Sequence, residues 1–219
     1  MKVQPVARKF RPLVGGLIEE LPPGCPGCAF WETAEPLAPR CGERCDRELA
    51  RAWIDRVNAE WGDCGRIAVV DGEVLGFIKY APGSLVPQAQ VMPAGPPDQR
   101  AALIMCMHIT PEARQRGLGK LLMQAALRDL VTRGERTVQA YAAAGHTDYA
   151  LSPVVGVEFL LRMGFTVAKP HPTMPLMQLD LRSLAAWTEN LEVVLESLRL
   201  PLRVPQRTPV PNIRQKGSA

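Results

Sequence analysis

The chain is short of the features that mark several protein classes. No uninterrupted apolar run in its 219 residues approaches the roughly 20 that a helix needs to cross a bilayer. Met1-Lys2 is not followed by the apolar core of a signal peptide. On these grounds the chain is expected to be soluble and cytoplasmic, without a membrane partner. An excess of charge of one sign is missing too. The formal net charge is +4, and the basic residues are dispersed except around positions 114–120, too mild a balance to imply nucleic acid. Six cysteines with 47% hydrophobic residues do not suggest a disulfide scaffold, because a chain of this size can bury a core without stapling. No internal repeat is present. Proline is plentiful, and its clusters at 82–97 and 201–211 read as irregular structure.

What is present centres on residues 101–131. The apolar run 101–109, bounded by Thr110-Pro111, reads as a buried strand. A polar loop leads into Arg114-Gln115-Arg116-Gly117-Leu118-Gly119-Lys120. Beyond it Leu122, Met123, Ala126, Leu127, Leu130 and Val131 recur on one helical face, leaving Lys120, Arg128, Asp129 and Arg133 for water. The order is strand, basic glycine-containing turn, amphipathic helix. The first amides of a helix lack intrahelical acceptors and sit at its positive end, so such a turn suits a phosphate. Glycine lets a bulky anion approach the backbone, and Arg114, Arg116 and Lys120 add charge. The plainer reading is a chain reversal with solvated basic residues. A Walker loop does not fit the spacing to Lys120, and a Rossmann fingerprint lacks its third glycine.

The pattern Arg-x-x-Gly-x-Gly, after an apolar strand and Thr-Pro-Glu and before Lys-Leu-Leu, resembles the acetyl-coenzyme A signature of the GNAT superfamily of N-acetyltransferases. The later run Phe159-Leu160-Leu161-Arg162-Met163-Gly164-Phe165 is similar to the helix-to-strand junction near the end of that fold. The resemblance spans about residues 3–182 and implies an α/β (α+β) fold, a mixed central sheet flanked by helices. The expected organisation is a coenzyme-binding domain over 1–182, an amphipathic helix over 183–200 and a Pro-rich tail over 201–219.

Along the chain, a first strand is expected at 3–7 and a loop-rich segment at 21–45. Cys25-x-x-Cys28 and Cys41-x-x-x-Cys45 have zinc-compatible spacing, set against a loose second pair and no histidine nearby. A zinc-dependent interaction module, a redox dithiol and ordinary small buried residues are the alternatives. The stretch 25–32, Cys-Pro-Gly-Cys-Ala-Phe-Trp-Glu, is also similar to the opening of a bacterial GNAT subgroup. Asp46 is placed to cap a helix carrying Leu49, Trp53, Ile54, Val57 and Trp61 on one face. Residues 66–70 and 74–80 around Asp71-Gly72 read as a hairpin with a two-residue turn. Residues 82–97 look too polar for core. A strand is expected at 137–141, a flexible loop at 142–152, a helix at 154–163, and strands from 165 and over 174–181. Leu184, Trp187, Leu191, Val194 and Leu198 form a stripe that either packs on its own domain or makes a homodimer.

The resemblance implies acetyl-coenzyme A as cosubstrate, held between the 101–109 and 137–141 strands where they part, often at a bulge. Met107 and Ile109 are then expected to offer backbone groups to the pantetheine arm and thioester. The amides of Gln115, Arg116, Gly117, Leu118, Gly119 and Lys120, with Arg114 nearby, are expected to cradle the pyrophosphate. Transfer to a primary amine of a small molecule or protein is direct and needs no nucleophilic side chain. The family's frequent tyrosine acid falls at Leu160 here. His108 is the candidate base near neutral pH, set against a satisfied histidine on the other face of the sheet; Tyr141 is a candidate acid, set against core or cleft lining, and Glu158 is a weaker catalytic candidate. Cys106 reads as core. The competing function is a coenzyme A-binding regulatory or scaffold protein with weak or no turnover.

Overall fold

Alternating and continuous apolar runs become strands here, and periodic stripes become helices that cover the resulting sheet. The computed structural model describes residues 8–34, 45–145 and 153–182. The strands are β1 (Arg8–Pro12), β2 (Gly65–Val70), β3 (Glu73–Pro82), β4 (Ala102–Ile109), β5 (Thr137–Ala143), β6 (Val155–Gly156), β7 (Thr166–Lys169) and β8 (Leu176–Asp180). They form one mostly antiparallel sheet in the order β1-β2-β3-β4-β5-β8-β7, with β6 pairing β5. Helices α1 (Arg47–Glu60), α2 (Leu118–Thr132) and α3 (Val157–Arg162) flank it. This is the mixed α/β architecture expected from the sequence. The strand expected at 3–7 and everything after residue 182, including the stripe and the tail, lie outside the described residues.

Local chemistry accounts for the elements that position the site. Asp46 caps α1 by accepting from the Leu49 N–H at 2.9 Å, and Ala50, Trp53, Ile54 and Val57 turn inward. Asp71 and Gly72 both adopt positive φ, the conformation a two-residue hairpin turn demands. Helix α2 buries Leu118, Leu122, Met123, Ala126, Leu127 and Leu130. Asp129 of α2 and Arg133, the residue that caps its end, do not face water as expected. Asp129 takes hydrogen bonds from both the Arg66 guanidinium and the Tyr80 hydroxyl, the latter at 2.5 Å. Arg133 donates to the carbonyls of Trp61 and Asp63 and lies 4.3 Å from the Trp61 ring centroid. These bonds fix α2 against β2 and β3, and with it the turn that precedes it.

The core has two halves, one per sheet face. Leu13, Trp31, Trp53, Ile54, Phe77 and Met105 pack on the α1 side. Ile78, Ile104, Leu122, Met123, Leu130 and Met177 pack on the α2 side. Residues 82–97 are more apolar in fact than expected: Val86, Ala89 and Met92 are buried in the α1-side core, and Gln88 is buried as well. The loop expected at 142–152 begins later, because Ala142 and Ala143 belong to β5. The helix expected from 154 starts at Val157, behind the two-residue strand β6.

Candidate active site

Strands β4 and β5 are parallel neighbours for only three residues, Ala102–Ile104 against Val138–Ala140. Beyond that point they part. On its far side β4 stays paired with β3, but the register passes from Lys79↔Cys106 to Tyr80↔Ile104 and leaves Met105 over as a bulge. The extra residue puts Met105 and Cys106 in the same half of the core. The other edge of β5 remains bonded to the 173–175 segment through Ala142 N–H to Pro175 O and Ala144 N–H to Thr173 O, both 3.0 Å. Strand β6 therefore takes the edge of β5 that β4 leaves, pairing Ala142 with Val155.

Strand alternation fixes which groups face this gap. The Thr110 N–H donates to Leu75 O on the β3 side at 2.9 Å, and the His108 carbonyl faces Gly76 of β3. The N–H and C=O groups of Met107 and Ile109 consequently turn to the opposite edge, toward the gap. No strand among the described residues pairs with them there. The Ile109 carbonyl accepts from Arg114 Nε at 3.0 Å, which ties the following turn to the end of β4.

That turn adopts two left-handed residues in quick succession, Gln115 at φ 59° and Gly117 at φ 80°. Gly117 is the N-cap of α2, with no side chain satisfying the helix end, and a Cβ on it would meet nothing within 4 Å. The first helical bond, Leu121 N–H to Gly117 O, leaves the amides of Leu118, Gly119 and Lys120 without intrahelical acceptors. Gly119 lies close against β4 and α3: a Cβ there would lie 3.3 Å from Ile109 Cδ1, 3.5 Å from Met107 Cε and 3.7 Å from Phe159 Cε2. The turn, the β4 edge and α3 thus converge. Phe159 is a contributor that spacing alone did not flag.

On the other face of the sheet lies a narrow cavity enclosing about 380 Å³ including its open mouth, lined among others by Cys25, Cys28, Trp31, Lys79, Cys106 and His108. Most of that volume is open solvent, and the cavity as a whole has room for little more than a water molecule or one small group. Lys79 reaches Glu32 at 2.5 Å in a pair that is 8% and 0% exposed, and Lys79 also sits 5.5 Å from the Trp53 ring centroid. Burial alone disfavours the ammonium, but the Glu32 carboxylate outweighs it and holds Lys79 charged. Neither residue was singled out from the sequence. The available signal was a lone lysine inside the apolar run of β3, where an unpaired charge could not remain.

The three catalytic candidates fare differently. His108 lines the cavity, buried and stacked on Phe77 at 5.6 Å between ring centroids. Burial first, then Lys79 and Arg114, pull its pKa down from 6.5 to about 4, so it is a neutral imidazole near neutral pH rather than a group titrating there. Because the folded pKa is the lower one, the unfolded chain binds a proton between these values that the folded chain refuses. The resulting stabilisation is complete above pH 6.5 and is lost as pH falls toward 4, a contribution of about 3 kcal/mol. Thermal unfolding of the wild type is expected to drop more steeply over this interval than that of His108→Gln. Equal slopes would contradict the assignment.

Tyr141 and Glu158 do not sit as acids should. The Tyr141 hydroxyl lies 2.9 Å from Ala89 O and 2.5 Å from Gly95 O, its ring stacks on Trp31, and burial raises its pKa further from neutrality. It pins the 83–97 segment. Tyr141→Phe is expected to cost about 1–3 kcal/mol of stability by orphaning those carbonyls, with turnover changed less than about threefold. A turnover loss of about 100-fold with unaltered stability would restore the acid role. Glu158 is directed outward, 89% exposed and 3.8 Å from Arg162. Leu160, which stands where the resemblance puts the frequent tyrosine, is fully buried. Of the thiols with zinc-compatible spacing, Cys41 lies outside the described residues, while Cys28 and Cys45 pair as an isolated antiparallel bridge. Among the described residues no three His, Cys, Asp or Glu side chains group as a metal site.

Known proteins share this architecture. The chain matches Ard1 from Thermoplasma volcanium at TM-score 0.51 and 17% identity, covering 80% of this chain and 98% of that one. An N-acetyltransferase from Staphylococcus aureus Mu50 matches at TM-score 0.55 and 14% identity, covering 80% and 99%. The yncA protein of Salmonella typhimurium, whose structure holds its cofactor acetyl-CoA, matches at TM-score 0.53 and 14% identity, covering 80% and 94%. At these identities the likeness concerns the fold. No curated protein matches the sequence. The family model described as Acetyltransferase (GNAT) family matches residues 29–165, a span that takes in the gap, the glycine turn and α3. The chain therefore belongs to the GNAT family of acetyltransferases.

Proposed function

We propose that the protein transfers an acetyl group from acetyl-coenzyme A directly to a primary amine of a small molecule or a protein. The observation that carries this reading is the position of Met107 and Ile109. Their main-chain groups face the gap, their side chains reach Gly119 on one face, and their neighbours Cys106 and His108 line the cavity on the other. A two-substrate reaction needs such a layout: an anchor for a large anionic carrier, a slot for its tail and, across the sheet, a recess that admits no more of the acceptor than its amine head.

The residues present fit coenzyme A. The amides of Gly117, Leu118, Gly119 and Lys120 offer donors at the positive end of α2, and the space a Gly117 side chain would occupy is open. Gln115, Arg116 and Lys120 border the same turn, while Arg114 holds it to β4. A main-chain N–H in the gap supplies the donor for the oxyanion that forms as an amine attacks the thioester carbonyl. The carbon–sulfur bond then breaks; the amine loses one proton and the thiolate takes one. For the first our candidate is His108, a neutral imidazole in the cavity wall, and solvent supplies the second.

A second reading has its own support. Leu160 replaces the usual acid, Tyr141 is engaged elsewhere and Glu158 faces solvent, which suits a coenzyme A-binding protein with weak or no turnover. Thiol release from acetyl-coenzyme A against a panel of amines, with mass spectrometry of the products, separates the two. The enzyme reading requires thiol release together with an acetylated product for at least one amine. Coenzyme A binding without product for any amine supports the second reading, and absence of binding overturns both.

A further inference from the structure

We propose that Cys28 and Cys45 are a reversible dithiol–disulfide pair, a modification site at which a low-molecular-weight disulfide oxidant staples residues 25–31 to the head of α1. The proposal holds whether or not the protein turns over acetyl-coenzyme A.

The geometry comes from the backbone. Cys28 and Cys45 face each other as an isolated antiparallel bridge. The Asp46 N–H donates to Gly27 O at 2.8 Å, so the bridging bond is made by flanking residues and the cysteines form a non-hydrogen-bonded pair. Pairs of that kind bring Cα atoms to about 4.5 Å with side chains on one face, inside the roughly 4.4–6.8 Å that a disulfide requires. Cys45 already lies against the opposite segment. Its thiol is 3.4 Å from Pro26 O, and a Cβ on Gly27 would come within 2.9 Å of its sulfur. Gly27 itself takes φ 71°, which keeps this approach open.

Accessibility selects the pair among rival thiols. Cys25 sits across the same turn, with the Cys28 N–H donating to Cys25 O at 3.0 Å, and Cys106 shares the cavity wall. Both are buried, and burial pushes their thiols up, Cys25 to about 12, which keeps them protonated and poor in exchange. Cys45 is exposed and Cys28 half-buried. The Cys45 thiolate attacks the oxidant's disulfide, forming a mixed disulfide and releasing one small thiolate. The Cys28 thiolate then attacks the Cys45 sulfur, forming the intramolecular bond and releasing the second. The protein loses two protons and two electrons, and the oxidant leaves as two thiols. Because Cys28 lines the cavity, its redox state alters that wall.

The test is incubation of the full chain with oxidised glutathione, acid quenching, and digestion without reductant before mass spectrometry. Peptides joined through Cys28 and Cys45 are expected. Closing a loop of about 18 residues should also raise Tm by about 6–12 °C, reversibly on adding a thiol reductant. Cys45→Ser, at an exposed position, should lose both the cross-link and the Tm shift, whereas Cys41→Ser should retain them. A Cys25–Cys28, Cys28–Cys106 or Cys41–Cys45 linkage, or a stable mixed disulfide at Cys45, would overturn the proposal.

Discussion

Replacing Gly119 by glutamate is expected to weaken coenzyme A binding by about 100-fold or more while the fold stays in place, a loss of about 2.7 kcal/mol or more in binding free energy. The two effects separate because they have opposite signs at one position. A carboxylate in the first turn of α2 favours the helix, whose positive end it faces, so folding is not penalised by charge. The same carboxylate repels a diphosphate seated on the amides of that turn. Space adds to this. The nearest atoms to a Cβ at Gly119 are the side-chain ends of Ile109, Met107 and Phe159, which can shift by a few tenths of an ångström, but a longer side chain must project into the approach to the gap. Gly119→Ala, by contrast, should change affinity less than about threefold. Isothermal titration with coenzyme A, alongside thermal unfolding, checks both. Unchanged affinity in the glutamate variant would remove the anion from this turn.

The second large effect concerns the pair beneath the cavity. Lys79→Met is expected to destabilise the protein by about 3–5 kcal/mol, lowering Tm by about 10 °C or more. Glu32 is wholly buried, and its Oε2 has no partner in addition to Lys79's bond at Oε1. Removing the ammonium leaves that carboxylate uncompensated in an apolar setting beside Trp31 and Phe30. Glu32→Leu alone should cost a similar amount by stranding the ammonium. The double variant Lys79→Met/Glu32→Leu should recover most of the loss, because neither charge then needs a partner. Thermal unfolding of the four proteins forms a double-mutant cycle. Additive losses in the double variant would mean that the two side chains are not coupled in solution.

How much of this could be read from the chain depended on sequence distance. The turn at 114–120 was legible because its chemistry is local: glycines for left-handed backbone, basic side chains, and an amphipathic stripe beginning at once. The α1 cap at Asp46 and the Asp71-Gly72 hairpin were legible for the same reason. What escaped were partners brought in from afar. Asp129 looked solvated until β2 and β3 supplied Arg66 and Tyr80, 63 and 49 residues away in sequence. Tyr141 looked like an acid until the 83–97 segment folded back over it with the carbonyls of Ala89 and Gly95. Lys79 and Glu32 are 47 residues apart and meet only because β3 and the 25–34 segment share the α1 face of the sheet. Strand alternation puts His108 on the face opposite the Met107 and Ile109 side chains, where it lines the cavity, but its depressed basicity depends on burial that no local pattern encodes.

Amide hydrogen exchange with and without coenzyme A addresses the core of this account, the seating of a diphosphate on the head of α2 and a thioester tail beside β4. Protection is predicted at Gly117, Leu118, Gly119 and Lys120 and at Met107 and Ile109, with β1 and β7 unchanged. Coenzyme A binding that slows exchange elsewhere while these six amides exchange as before would contradict it.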